Sequence, residues 1–286
     1  MKKNKSLPAL WRSGENAGVV QLPRVRGRTW VAIKQVRILS GQVNLEVIMK
    51  NKIGWCNLTF NPVWGCNNHC EYCYARTFSK RFWKRMFKIE MQHYYKKHPT
   101  WAWTGDQYTG IINNFKPTFL ESQFDKKFPK KPQRIFVGSM SEIYYWKDEW
   151  IEMVIEKVKQ YPQHTFQFLT KFPEVYLRYY FPKNCWLGIT IVGDIDKIEF
   201  QKFKISNPNN LKFICFEPLI KNVSINLDFI DWIILGSETG NRKGKIILKK
   251  EWIEDFVTCY KDNDIPIYLK DSLKDIYPAE IKEFPI

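Results

Sequence analysis

The chain has 286 residues, 44% of them hydrophobic and 16% aromatic, which excludes a disordered chain and suffices for one large domain or two small ones. Lys and Arg number 45 against 29 Asp and Glu, a formal charge of +16 that points to a polyanionic partner, nucleic acid or an anionic membrane surface, and is silent on fold. No stretch approaches the roughly 18 apolar residues of a membrane span, and the N-terminus lacks the apolar core of a secretory signal, so a cytoplasmic protein is expected.

Residues 1–48 differ from the rest: nine Lys/Arg against two acids leave +7, while 36 against 27 leave +9 over residues 49–286. They show no sustained periodicity and read either as a disordered basic arm or as an extension upstream of a start at Met49. Residues 49–274 carry the recognisable pattern, and 275–286 read as a C-terminal tail.

WCNLTFNPVWG (55–65) opens that pattern as a strand, and NPVWGCNNHCEYCYA (61–75) follows. Cys66, Cys70 and Cys73 make a C-x3-C-x2-C run with Tyr72 before the last cysteine. Three thiolates on one tight loop suit three irons of a [4Fe–4S] cluster, and without a fourth neighbouring cysteine one iron stays open. Tetrahedral zinc completed by His69 or Cys56 is the alternative, and with it a non-enzymatic nucleic-acid-binding protein. His69 lies awkwardly between two ligands, while Cys56, Cys185, Cys215 and Cys259 read as core.

ARTFSKRFWKRMFKIE comes next, with Arg76, Lys80, Arg81, Lys84, Arg85 and Lys88 on one helical half and Phe78, Phe82, Trp83, Met86 and Phe87 on the other. The cationic half is a candidate surface for nucleic acid. Tyr94, Tyr95, Trp101, Trp103 and Tyr108 are expected to cover the fold rather than stack on bases. KKFPKKPQR (126–134) reads as a solvated linker.

Apolar runs then recur at RIFVGSMSE (134–142), TFQFLTK (165–171), CWLGITIVGD (185–194), LKFICFEP (211–218), DWIILGSETG (231–240) and IPIYLKD (265–271). Uniform hydrophobicity over four to seven residues marks strands buried on both faces. Helical patterns lie between them, clearest in KDEWIEMVIEKVKQYP and KKEWIEDFVTCYKDND. The alternation predicts an α/β fold: a full or partial (β/α) TIM-type barrel with parallel strands, or a doubly wound open sheet. Ser139, Glu142, Lys171, Thr190, Glu217, Glu238 and Lys270 end these runs on the edge where such folds build their sites.

The cysteine run with its preceding aromatic resembles the radical S-adenosylmethionine superfamily. The string NP-x2-GC-x3-C-x2-CYA, with RIFVGSMSE, PQHTFQFLTK, WLGITI, FICFEPL and DWIILGSETG in that order, is similar to phage-associated radical-SAM-like proteins related to spore photoproduct lyase, over roughly residues 52–272. The resemblance implies that Cys66, Cys70 and Cys73 hold a [4Fe–4S] cluster whose open iron chelates S-adenosylmethionine. A reducing electron donor would then yield a 5′-deoxyadenosyl radical acting on a nucleic-acid or nucleotide substrate. It places Ser139, Ser141 and Glu142 near the methionine amino group, in a Gly138–Glu142 segment that departs from the commoner Gly-Gly-Glu form. By strand-end position alone, Thr190 is a candidate for the ribose hydroxyls, and Glu217 or Glu238 for ribose or substrate.

Overall fold

The computed structural model describes residues 53–99, 115–223, 227–261 and 263–286. The basic extension 1–48 and Trp101, Trp103 and Tyr108 lie outside the described residues. The chain divides at Met49/Lys50, and the fold below is that of the second unit.

Seven short parallel strands build the sheet: β1 (Leu58–Phe60), β4 (Arg134–Val137), β5 (Thr165–Thr170), β6 (Cys185–Thr190), β7 (Lys212–Phe216), β8 (Trp232–Leu235) and β9 (Ile267–Leu269). Each run expected from 134 onward becomes a strand, trimmed where its polar ending begins. A two-stranded antiparallel pair, β2 (Val63–Trp64) with β3 (Thr118–Phe119), stands apart. Helices α1 (Tyr74–Lys97), α3 (Asp148–Lys159), α5 (Lys197–Ile205) and α6 (Lys250–Lys261) fall in the connections, with the short turns α2 (Glu121–Phe124) and α4 (Val175–Arg178).

The order β1-β4-β5-β6-β7-β8-β9 runs in one direction with no reversal, which rules out the doubly wound alternative. Among the described strands of the sheet β1 pairs with β4 and β9 with β8, and β1 and β9 do not pair with each other, so the sheet stays open. This is a partial (β/α) barrel.

Side-chain alternation divides the sheet into two faces. Ile135, Phe166, Leu187, Ile214, Ile233 and Ile267 point to the convex side, where they join Ile151, Val154 and Val158 of α3 and Ile253 and Phe256 of α6 in the main core. Phe136, Phe213, Cys215, Trp232, Ile234 and Tyr268 point to the concave side and meet Trp55 from the segment ahead of β1. Trp55 lies 4.6 Å from Phe136 and 6.2 Å from Trp232 between ring centroids. A Cβ at Gly54 would collide with the Tyr268 hydroxyl, so the segment before the first strand reaches the last one. The sheet therefore curls around a floor of aromatic rings.

The C-terminal segment, expected as a tail, completes that floor. Leu269 N–H donates to Ile281 C=O and Glu283 N–H to Ile267 C=O, laying the segment along the edge of β9. Trp232 Nε1 donates to Glu283 C=O, and Phe284 sits beneath Trp232 with the Arg134 guanidinium 3.8 Å from its ring centre. With the lower half of the concave face filled, the open end lies where the strands finish.

Candidate functional site

The three motif cysteines occupy the loop between β2 and α1, and all three are half-buried with free thiols. Gly65 begins the loop at φ +100°, a conformation reserved in practice for glycine, and a Cβ there would strike the Lys116 carbonyl. Gly65 N–H donates to Met140 C=O at 3.0 Å, and Cys66 N–H to Phe115 C=O at 2.7 Å. The loop is thereby clamped between the β3 side and the segment following β4. Its far end is Cys73, the N-cap of α1, whose sulfur accepts from Arg76 N–H at 3.3 Å.

Three contacts lay this loop across the strand ends. Tyr74 donates its hydroxyl hydrogen to Ser139 C=O after β4. Lys171 Nζ, after β5, donates to the Tyr72 hydroxyl at 3.3 Å. Arg242 Nη1, on the segment after β8, reaches Glu71 at 3.2 Å. The cysteine loop thus roofs the open end of the half-barrel.

The strand-end residues sort by how their oxygens are engaged. Ser139 Oγ lies 3.0 Å from Asn61 Oδ1, while Ser141 Oγ accepts from Trp146 Nε1 at 3.0 Å. Glu142 is buried and accepts from Thr170 Oγ1, Lys171 N–H at 3.0 Å and Tyr144 N–H at 3.4 Å. Burial pushes its carboxyl above the usual range against those three donors. Thr190 ends β6 and is half-buried at the rim. Glu217 pairs with Lys270 across Gly236, from the ends of β7 and β9. Glu238 is buried and gripped at both oxygens by Arg242.

Lys171 and Lys270 stand where the run endings place them. Asn61, Glu71, Tyr74 and Arg242 were not singled out as site residues, because each works through a partner 65 to 171 positions away or, for Arg242, in a glycine-rich turn with no pattern of its own.

Among the described residues no three His, Cys, Asp or Glu side chains form a group that would grip a single ion. The donor chemistry nonetheless fits an iron–sulfur cluster held by thiolates. Burial raises the Cys66 thiol to about 12, the charges of Glu142, Cys73 and Cys70 adding to that rise and the Asn68 backbone contact opposing it. A thiolate in that place calls for a cation beside it. Asn68 N–H, 3.2 Å from Cys66 Sγ, and Arg76 N–H, 3.3 Å from Cys73 Sγ, donate to two of these sulfurs, as peptide groups would to the thiolates of a bound cluster. Cys56 lies instead in the aromatic floor, and His69 is exposed. Cys185 and Cys215 are buried in strands, burial raising both thiols.

Helix α1 departs from the expected division of its faces. Its inward side is Ala75, Ser79, Glu90 and Tyr94, flanked by Trp83, Met86 and Phe87. Phe78 and Phe82 are exposed, 44% and 38%. Among the described residues, Trp64, Phe115, Leu120 and Met140 pack with the helix around Ala75, which sets its inward side there. Arg76 turns inward and donates to Cys66 C=O at 3.1 Å and Asn68 C=O at 3.3 Å, which leaves Lys80, Arg81, Lys84, Arg85 and Lys88 on the exposed face. No described helix is long and apolar enough to cross a membrane.

A family model described as "Protein of unknown function (DUF5131)" matches residues 50–274. No curated protein matches the chain. Two solved structures resemble its fold: spore photoproduct lyase complexed with dinucleoside spore photoproduct, 11% identical over 73% of this chain and 74% of that one with a TM-score of 0.42, and a mutant of a spore photoproduct lyase with bound AdoMet and dinucleoside spore photoproduct, 9% identical over 88% of each chain with a TM-score of 0.44.

Proposed function

The chain belongs to the DUF5131 family, and we propose that it is a radical S-adenosylmethionine enzyme acting on a nucleic-acid or nucleotide substrate. The observation that carries this reading is the C-x3-C-x2-C loop laid over the open end of a parallel half-barrel and tied there to the ends of β4 and β5 and to the segment after β8. Cys66, Cys70 and Cys73 would hold a [4Fe–4S] cluster at that end. When bound, the cluster and S-adenosylmethionine supply reductive cleavage of the sulfonium bond and a 5′-deoxyadenosyl radical.

The protein's own groups divide the remaining work. Ser139 and Thr190 stand at the rim as hydroxyl partners for the cosubstrate. Glu217 offers a carboxylate already balanced by Lys270, suited to ribose hydroxyls or a substrate amine. Ser141, Glu142 and Glu238 act at one remove: Ser141 and Glu142 shape the segment after β4, and Glu238 fixes Arg242 against the cysteine loop. The aromatic floor fills the lower half of the concave face and keeps water from the mouth on that side. The exposed cations of α1 supply the surface for a phosphate backbone beside the mouth.

Anaerobic reconstitution with iron and sulfide tests the reading. A brown protein with about four irons per chain, lost when Cys66, Cys70 and Cys73 are all replaced by Ala, is the expected result. A colourless protein carrying zinc through the same cysteines would contradict it.

A further inference from the structure

Helix α1 exposes rings that its sequence pattern would bury. At 100° per residue Tyr74, Phe78, Phe82, Arg85 and Ile89 fall within about 80° of arc, and all five are exposed. Arg81, Lys84 and Lys88 continue from Arg85 over about the next 100°. Among the described residues no acid pairs with any of these four cations, and the first acid of the helix is Glu90, buried on the opposite side. The result is a row of ring faces with a row of positive charge beside it.

The row has a direction. Tyr74 opens it, with its hydroxyl on Ser139 C=O at the mouth of the half-barrel. Phe78 and Phe82 follow one turn apart, their ring centroids 4.4 Å from each other and tilted by 35°, and Trp64 supports Phe78 from behind at 6.3 Å.

We propose that this face of α1 binds single-stranded nucleic acid, bases on Phe78 and Phe82 and phosphates on Arg81, Lys84, Arg85 and Lys88, and guides the strand to the mouth. The inference rests on the proposed nucleic-acid substrate and narrows it to unpaired bases. A duplex buries its base faces against one another and presents only its backbone and the base edges in its grooves, so exposed rings find no base face to stack on. An unpaired strand presents both partners at once, ring to ring and phosphate to cation. An anionic bilayer would satisfy the same charges, but only by burying Tyr74 and the mouth it marks.

Anisotropy of a fluorescein-labelled 12-residue poly-dT strand and of a hairpin duplex of equal length, measured with the reconstituted full chain at two salt concentrations, tests this. The single strand should bind at least about tenfold more tightly. The Phe78→Ala/Phe82→Ala variant should lose at least about tenfold for the strand and nothing for the duplex. Phe78→Leu/Phe82→Leu, which keeps apolar bulk without a ring, should bind like the alanine variant. Lys84→Glu/Arg85→Glu should flatten the salt dependence. Equal affinity for strand and duplex, wild-type strand binding by either phenylalanine variant, or displacement of the strand by phosphatidylserine vesicles would overturn the proposal. Strand binding is read without turnover, so a chain that binds strands through these rings yet holds no cluster would overturn only the enzymatic reading.

Discussion

Arg242 grips Glu238 with two parallel bonds, Nε to Oε1 at 2.7 Å and Nη2 to Oε2 at 2.9 Å. Its remaining nitrogen crosses to Glu71, inside the cysteine motif. A forked guanidinium can hold a carboxylate in fixed orientation while reaching a second, which a lysine cannot do. Arg242→Lys should therefore leave the fold intact but loosen the loop, seen as faster hydrogen exchange over residues 66–74 and slower cluster uptake. Exchange unchanged from the wild type would remove Arg242 from this role.

The same pair sets a pH dependence. The Arg242 hydrogen bonds hold the Glu238 carboxyl below its ordinary value, with burial pulling the other way. A carboxyl lowered in the folded state stabilises the fold above its unfolded pKa of about 4.3 and loses that contribution as pH falls through the lower, folded value. Between about pH 5 and 3 the wild-type melting temperature should fall more steeply than that of Glu238→Gln. Parallel profiles by calorimetry would show that the pair contributes nothing.

Two glycines on the concave face should respond differently to alanine. A Cβ at Gly188 would run into the Phe213 ring, which the floor holds in place, so Gly188→Ala should cost about 1–3 kcal/mol in urea unfolding. At Gly236 the Cβ would stand 2.8 Å from Lys270 Cδ and 3.4 Å from Glu217. A lysine stem can move, so Gly236→Ala should change stability little and weaken S-adenosylmethionine binding by displacing the Lys270–Glu217 pair. Equal stability losses in the two variants would contradict this separation.

Glu142 serves three donors from inside the protein. Glu142→Ala leaves the Thr170 hydroxyl and the N–H groups of Lys171 and Tyr144 without their acceptor, with an expected loss of about 1–3 kcal/mol. A variant as stable as the wild type would return Glu142 to the cosubstrate site as a direct contact.

Most of the barrel was legible because its strands are local signals. RIFV, TFQFLT and WIIL are short runs rich in apolar residues and followed by polar ones, and each became a strand of the expected place and direction. What the pattern left open was how far the sheet curls, which depends on Gly54 meeting Tyr268 and Trp55 meeting Trp232, partners more than 170 positions away. The cysteine motif was legible from spacing alone. Its anchoring was not, since Tyr74, Arg242 and Asn61 act through long-range partners. Helix α1 misled because helical periodicity assumes that the apolar half faces the protein. Here Ala75 and Ser79 take that side to let the cysteine loop approach, and Phe78 and Phe82 are turned outward.

A cysteine loop that arms the open end of the half-barrel for S-adenosylmethionine chemistry must support cosubstrate cleavage. Protein reconstituted without oxygen, reduced with dithionite and supplied with S-adenosylmethionine should form 5′-deoxyadenosine and methionine, and the variant with Cys66, Cys70 and Cys73 replaced by Ala should form neither. A wild-type chain that binds the cluster yet yields no 5′-deoxyadenosine, with or without single-stranded DNA, would show that the loop has no such role.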